Sequence, residues 1–217
     1  MNTPESLDPV QPNLIGRIRS RQAGNPSGLL GRIIGRAMVK DTAASNDRCI
    51  ELLELSRPLT VLEVGFGQGR TAAGLVQQGH RVIGVDVSPT MVNQATARNR
   101  RACRDGRAEL VLGDGHTIPF EDDTAGAAFT AHTVYFMSQR QKAMNEIARV
   151  LEPGGRFVMA CRVGDDVMPA WMDPTIYRIP TIDQIQTLLG TAGFEPVVHH
   201  AGDESTHHTH WFIADLP

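Results

Sequence analysis

The sequence predicts a Rossmann-like α/β fold: an open twisted sheet of seven strands, mostly parallel with an antiparallel last strand, and helices on both faces. Three observations predict it. Beyond residue 59, short apolar runs alternate with segments whose apolar residues recur at helical spacing, up to Cys161. The first run, Val61-Leu62-Glu63-Val64, passes directly into Gly65-Phe66-Gly67-Gln68-Gly69, where glycines at alternate positions let backbone approach a ligand with no Cβ in the way. The chain then closes on two strand-like segments joined by a short loop, a connection open only to antiparallel neighbours.

Each element follows in order. Residues 1–26 carry Pro4, Pro9, Pro12 and Pro26 among polar side chains and are expected to form a mobile tail, leaving 27–217 as a single domain. Apolar residues at 29, 30, 33, 34, 37 and 38 share one helical face, and Ser45 or Asn46 is placed to cap a second helix ending near Leu55. Residues 27–57 thus read as a helical cap over the open cleft. Strand one begins near Thr60, and Thr71 to Gln78 reads as the helix behind the glycine turn. Arg81 to Val85 makes a second buried strand ending on Asp86, after which Ser88 and Pro89 supply a cap and a first helical turn. Ala108 to Leu112 makes the third strand, running into Gly113-Asp114-Gly115-His116. Glu121-Asp122-Asp123 is a solvated turn before strand four, Ala125 to Thr130, and Leu151 to Ala160 holds a helix end, a Pro-Gly-Gly turn and strand five. In the insert 162–180, Met168, Trp171, Met172 and Tyr177 suit a lid over an organic substrate or plain packing. A helix from Thr181 to Ala192 and strands Phe194 to His199 and His208 to Ala214 complete the chain.

Glycine turns serve several cofactors, and spacing separates them. The dinucleotide pattern G-x-G-x-x-G fails here, because counting from Gly65 and Gly67 its last place is held by Arg70. Glu63 through Gly69 reads E-x-G-x-G-x-G instead. Followed by Asp86 ending strand two, Asp114 after strand three and the Pro153-Gly154-Gly155 turn before strand five, it resembles the class I S-adenosylmethionine-dependent methyltransferases from about Asn46 to Leu216. The small-molecule, quinone-biosynthesis-like branch is the nearest in character. The resemblance implies S-adenosyl-L-methionine as cofactor and S-adenosyl-L-homocysteine as product. It assigns cofactor binding to Glu63, Gly65, Gly67, Gly69, Asp86, Val87, Asp114, Gly115 and His132. Asp86 would accept hydrogen bonds from the ribose diol, an acceptor-only group facing two donors, and Asp114 would accept from the adenine amino group.

A sulfonium methyl is already activated, so an enzyme has to align an attacking lone pair, exclude water and, for a protonated nucleophile, remove the proton. The catalytic candidates are His132 and Tyr135, where the fourth strand leaves the sheet beside the glycine loop. His132 has the intrinsic basicity for proton removal, and orienting the loop or packing under the cofactor is its other reading. Tyr135 and Phe136 resemble aromatic residues that stack on a planar acceptor or face the sulfonium, with core packing as the alternative for one ring. Arg162 reads as a partner for an acidic acceptor or as a surface arginine.

The resemblance implies a small-molecule acceptor, phenolic or quinone-like, and composition bears on the other partners. A formal net charge of -3 argues against general nucleic-acid affinity, and no Asn/Asp-Pro-Pro-aromatic tetrad follows strand four. Arg17, Arg19, Arg21, Arg32, Arg36 and Lys40 raise a membrane-surface reading, against which Gly28, Gly31 and Gly35 weaken an isolated helix. Cys49, Cys103 and Cys161 are widely spaced and form no C-x-x-C, which reads as reduced thiols and a cytoplasmic location, with neither signal peptide nor membrane span expected. His199, His200, His207, His208 and His210 lack a complementary acid or cysteine at ligand spacing, so no metal site is expected. Two rivals stand beside methyl transfer: a protein that binds the cofactor or its product without catalysis, and a nicotinamide-dependent oxidoreductase. Oligomeric state and the identity of the acceptor stay open.

Overall fold

A computed structural model describes residues 14–28, 42–164, 166, 168–203, 206 and 208–217. Strands β1 (Thr60–Val64), β2 (Arg81–Asp86), β3 (Ala108–Leu112), β4 (Ala125–Ala131), β5 (Leu151–Cys161), β6 (Val197–His200) and β7 (His210–Asp215) make one seven-stranded sheet. Their order is β3-β2-β1-β4-β5-β7-β6. The first five pair in parallel, and β7 runs antiparallel to both its neighbours, as the closing hairpin requires. The chain steps outward from β1 to β3 and then returns to place β4 on the other side of β1. That reversal opens a crevice at the carboxyl ends of β1 and β4, where α/β sheets bind ligands.

Helices α1 (Leu14–Gly24), α2 (42–52), α3 (Arg70–Gln77), α4 (Pro89–Arg98), α5 (Arg100–Arg104), α6 (Arg140–Val150) and α7 (Ile182–Thr191) surround the sheet. Side chains alternate across each strand, so both faces must be covered. Leu62, Ile83, Phe157 and Phe212 enter one core with α6 and α7, while Val61, Val82, Val158 and Trp211 enter the other with α2, α3 and α4. Local chemistry sets the helix starts. Ser88 caps α4 by accepting from the Met91 N–H, with Pro89 in the first turn, and Thr181 with Gln184 forms a capping box on α7.

Several expectations need correction. Residues 14–24, expected within a mobile tail, form α1 with Gly16 and Ser20 buried. The cause is non-local: Ser20 Oγ donates to the Trp171 carbonyl (3.2 Å) and accepts from the Asp173 N–H (3.0 Å). Arg19 lies 4.0 Å over the Trp171 ring and Arg17 approaches Asp173 at 3.5 Å, so these two arginines engage the insert. Ser45 and Asn46 sit inside α2 and cap nothing there; Ser45 Oγ meets Thr209 Oγ1 at 3.3 Å and Asn46 donates to Thr71 Oγ1 at 3.2 Å. Pairing of β5 begins at Leu151, opposite Ala125, and resumes at Arg156 after a register shift around the Pro-Gly-Gly turn. The helix expected over 29–39, the first part of the expected cap 27–57, lies outside the described residues.

Candidate cofactor and acceptor cleft

A cavity of about 690 Å³ opens at the carboxyl ends of the central strands, within the ~300–1,000 Å³ usual for small-molecule sites. Its floor is the glycine turn. Gly65, Gly67 and Gly69 all have positive φ (82°, 52° and 66°), a conformation glycine adopts without strain. Their tasks differ. Gly65 donates to the Val85 carbonyl at 2.8 Å, and a Cβ there would run into Thr133. Gly67 lines the cavity, and a Cβ there would meet no protein atom within 4 Å, so bare backbone faces the open space. Gly69 does not line the cavity: its absent Cβ makes room for Asn99 (2.7 Å) and Ala95 (2.8 Å) and lets α3 and α4 pack closely.

Carboxylates stand at two strand tips. Asp86 is only 8% exposed, and its Oδ2 accepts from Gly67 N–H at 2.8 Å while Oδ1 accepts from Ser88 N–H at 2.9 Å. Each oxygen keeps a lone-pair site for a ligand hydroxyl. Burial pushes Asp86 up to about 6, against the pull of those two backbone bonds. Asp114 lines the cavity after β3, and its Oδ1 accepts from the His116 N–H at 2.9 Å, the main cause of its lowered pKa. Val87 and Gly115 also line the cavity, beside their respective acids.

Glu63 departs from the expectation of a cofactor contact. It is 2% exposed, its Oε2 has no hydrogen-bond partner among the described residues, and it forms no part of the cavity wall. The pleat explains this, because Glu63 shares the strand face of Val61, which packs toward α2 and α3. Burial first, and then the nearby Asp86 charge, push Glu63 up to about 8 despite Arg70.

Where β4 leaves the sheet, His132 turns the chain with a φ of 58°, rare for a non-glycine residue, while its N–H continues the ladder to Ala160 O at 2.8 Å. His132 is half-buried in the cavity wall, and burial followed by the Arg162 charge lowers its pKa to about 4. Its Nδ1 lies 2.9 Å from the Tyr135 hydroxyl. Tyr135, expected at the reacting atoms, is 1% exposed and absent from the wall, its ring held against Phe136 and Tyr177. Of these neighbours Phe136 reaches the cavity, whose wall also includes Phe66.

Part of the roof comes from a segment with no sequence signal for it, while Thr42 and Asn46 of the expected cap also line the cavity. Arg21 and residues 23–26 close one side, and Gly24 sits so near Phe136 that a Cβ would lie 2.8 Å from the ring. The Ser88 hydroxyl donates to the Pro26 carbonyl, tying this strap to the start of α4. Of the insert, Ile176 reaches the cavity, whereas Trp171, Met172 and Tyr177 pack in the core. Arg162 lines no part of it, though its backbone N–H donates to Tyr135. His116 was legible in Gly113-Asp114-Gly115-His116 but passed over; it lines the cavity, its Nε2 accepting from the Gln139 N–H at 3.3 Å and its Nδ1 3.4 Å from Asp114.

Away from the cleft, His199 Nε2 meets His210 Nδ1 at 2.8 Å, and His210 Nε2 lies 3.1 Å from Asp166. Among the described residues no three His, Cys, Asp or Glu are grouped to hold a metal ion, and His207 lies outside them. No described helix is long and apolar enough to cross a membrane.

Comparison with known proteins agrees with this geometry. Residues 62–159 match a family of methyltransferase domains. The 24-methylenesterol C-methyltransferase 2 of Oryza sativa subsp. japonica is 27% identical over 157 residues, 72% of this chain and 41% of that protein. The chain spans 33–57% of the length of the first curated relatives it matches. Among solved structures, phosphoethanolamine N-methyltransferase 2 of Haemonchus contortus with S-adenosyl-L-methionine superposes with a TM-score of 0.68 at 17% identity, covering 80% of this chain and 52% of that one. The [4+2]-cyclase SpnF superposes at 0.67 and 19% identity over 96% of this chain and 98% of its own. Strand order, glycine turn and strand-tip acids give this chain the fold of the class I S-adenosylmethionine-dependent methyltransferases, and its residues 62–159 are similar to the methyltransferase-domain family.

Proposed function

We propose that this chain binds S-adenosyl-L-methionine in the cleft above β1 and β4 and directs its methyl group to a small organic acceptor with a phenolic or quinone-like ring. The observation that carries the reading is the pairing of bare backbone at Gly67 with the buried Asp86 carboxylate on one wall of a 690 Å³ cavity. An added Cβ at Gly67 would enter open space rather than protein, which fits a ligand lying flat on the turn.

When bound, the cofactor supplies an activated methyl group on a positively charged sulfur. The residues around it divide the remaining work. Asp86 has lone pairs left for two ribose hydroxyls, and Asp114 with Gly115 stands where an adenine edge would meet an acceptor and a backbone N–H. Phe136, Met137 and Ile176 give an apolar flank for a ring-bearing acceptor, and the strap 23–26 sheds water from it. Cys49, Cys103 and Cys161 are free thiols, in keeping with a cytoplasmic place of action.

Thermal shift with S-adenosyl-L-homocysteine, S-adenosyl-L-methionine and NAD, followed by radiolabelled methyl transfer to a panel of phenols and quinols, tests the reading. The expected result is stabilisation by the two adenosyl-sulfur compounds and label on at least one ring acceptor. Stabilisation by NAD alone would overturn the cofactor assignment. Binding without transfer to any acceptor would leave a cofactor-binding protein in place of the enzyme.

A further inference from the structure

Resting on the reading above, we propose that His132 meets the acceptor as a fixed Nε2–H hydrogen-bond donor and not as a base that removes a proton. Tyr135 is the positioning residue that sets its tautomer. The argument is a count of hydrogens on one buried hydroxyl.

The Tyr135 hydroxyl carries a single hydrogen and has two polar partners among the described residues, both within bonding distance. One is the Arg162 backbone N–H, which can only donate, and it donates to the phenol oxygen at 2.6 Å. The other is His132 Nδ1 at 2.9 Å. If Nδ1 carried a hydrogen, two donors would converge on the phenol oxygen and the buried hydroxyl hydrogen would have no acceptor among the described residues. Tyr135 therefore donates to Nδ1, and the hydrogen of the neutral imidazole sits on Nε2. The frame is rigid on both sides. The Tyr135 ring is wedged 5.7 Å from each of Phe136 and Tyr177, and His132 is tied through its backbone to Ala160 in β5.

The ring stays neutral near pH 7, because burial and the Arg162 charge lower its pKa to about 4. The other proton-accepting side chains of the wall are engaged elsewhere, Asp86 and Asp114 by the cofactor's ribose and adenine in the reading above. His116 Nε2 already accepts the Gln139 N–H, and Asp86 and Asp114 accept backbone N–H groups. Arg21 is the remaining charged group on that side, with Arg70 beside the glycine turn.

A cleft built this way selects an acceptor whose attacking lone pair is already free: an ionised oxygen such as a phenolate, enolate or carboxylate. The oxygen lone pair forms the new bond to the methyl carbon as the methyl–sulfur bond breaks. Sulfur keeps that bond's electron pair, the anion and the sulfonium both become neutral, and no proton has to leave the acceptor. The Nε2–H orients the oxygen through a charge-assisted hydrogen bond.

Histidine-selective ¹⁵N labelling and long-range ¹⁵N–¹H NMR of the ligand-free protein read the tautomer directly, with the His132 signals identified by their loss in His132→Asn. The expected result is hydrogen on Nε2 and a bare Nδ1 across pH 6–8, with the Nδ1–H form appearing in Tyr135→Phe. A wild-type protein whose main form is Nδ1–H overturns the proposal, whatever the variants do. With phenols of graded acidity as acceptors, kcat/KM should rise with pH through each phenol's own ionisation, the midpoint moving from one phenol to the next. A kcat/KM that falls as the phenol ionises would mean proton abstraction from the neutral acceptor and would also overturn it. Methylation of no phenol at all counts against the proposed function, and the NMR result then decides the role of His132 by itself.

Discussion

Replacing Asp86 with asparagine separates its contribution to folding from its contribution to the cofactor. In the native protein its oxygens accept from Gly67 N–H at 2.8 Å and Ser88 N–H at 2.9 Å. An amide nitrogen in place of one oxygen sets donor against donor, a loss of about 1.5–3 kcal/mol for a bond to a charged group. The opposing effect is relief of a buried charge. Burial raises Asp86 from 3.8 to about 6, so the folded chain holds that proton more tightly than the unfolded one. The resulting stabilisation is fully present below pH 3.8 and is gone once the pH passes 6. Near pH 7 the ionised group therefore costs the fold on the order of 3 kcal/mol, at ~1.4 kcal/mol for each unit between the two values, and asparagine removes that cost. The two effects offset, leaving a net change between roughly zero and about 1.5 kcal/mol in favour of the variant.

Cofactor affinity has no such compensation. The one remaining oxygen cannot serve two ribose hydroxyls and a backbone N–H, so Asp86→Asn should weaken S-adenosyl-L-homocysteine binding by about 1.5–3 kcal/mol, roughly 10- to 150-fold. Titration calorimetry at pH 7.5 reads the affinity and denaturant unfolding reads the stability. Native affinity in a folded variant refutes the ribose assignment, and a stability loss of several kcal/mol refutes the charge accounting.

The remaining expectations concern the same wall. Gly67→Ala places a methyl group in the open space above the turn at a φ of 52°. It should cost about 1–2 kcal/mol of stability from the left-handed backbone and lower S-adenosyl-L-homocysteine affinity at least ~10-fold. An alanine variant with native affinity by calorimetry would show that the ligand does not rest on this residue. Because Asp86 takes up its proton near pH 6, affinity measured by calorimetry should be level from pH 7 to 8 and weaken as the pH falls below about 6; no change by pH 5 would contradict an ionised acceptor. Glu63 is raised from 4.5 to about 8, so its stabilising proton is fully held below pH 4.5 and lost as the pH climbs through 8. Urea unfolding at pH 5 and 7.5 should show Glu63→Gln losing less stability with rising pH than the native protein, by up to about 1.4 kcal/mol per pH unit; equal losses would place a charged carboxylate there at neutral pH.

Periodicity and turn chemistry were enough to read the frame of this protein from its sequence. An apolar run ending in alternate glycines, an acid closing the second strand and a short loop between two final strands are local signals. The pleat and the crossover rule turn them into β1, Asp86 and the reversed β7 with few alternatives. Which way a side chain faces at the carboxyl end of a strand is less local. Glu63 lies within the very motif that marks the cleft, yet alternation turns it away from the cavity, and Gly69 serves the packing of α3 on α4 instead of the ligand. Tyr135 was legible as an aromatic residue beside the switch point, but only its contacts with Phe136, Tyr177 and the Arg162 N–H move it behind His132. The part of the roof made by residues 21–26 was invisible for the same reason. α1 shows little helical pattern by itself, and it is held by Trp171 and Asp173, some 150 residues away along the chain. Local spacing thus determined the sheet and the cofactor cradle, whereas contacts between distant segments decided what covers the cradle and what holds the His132 ring.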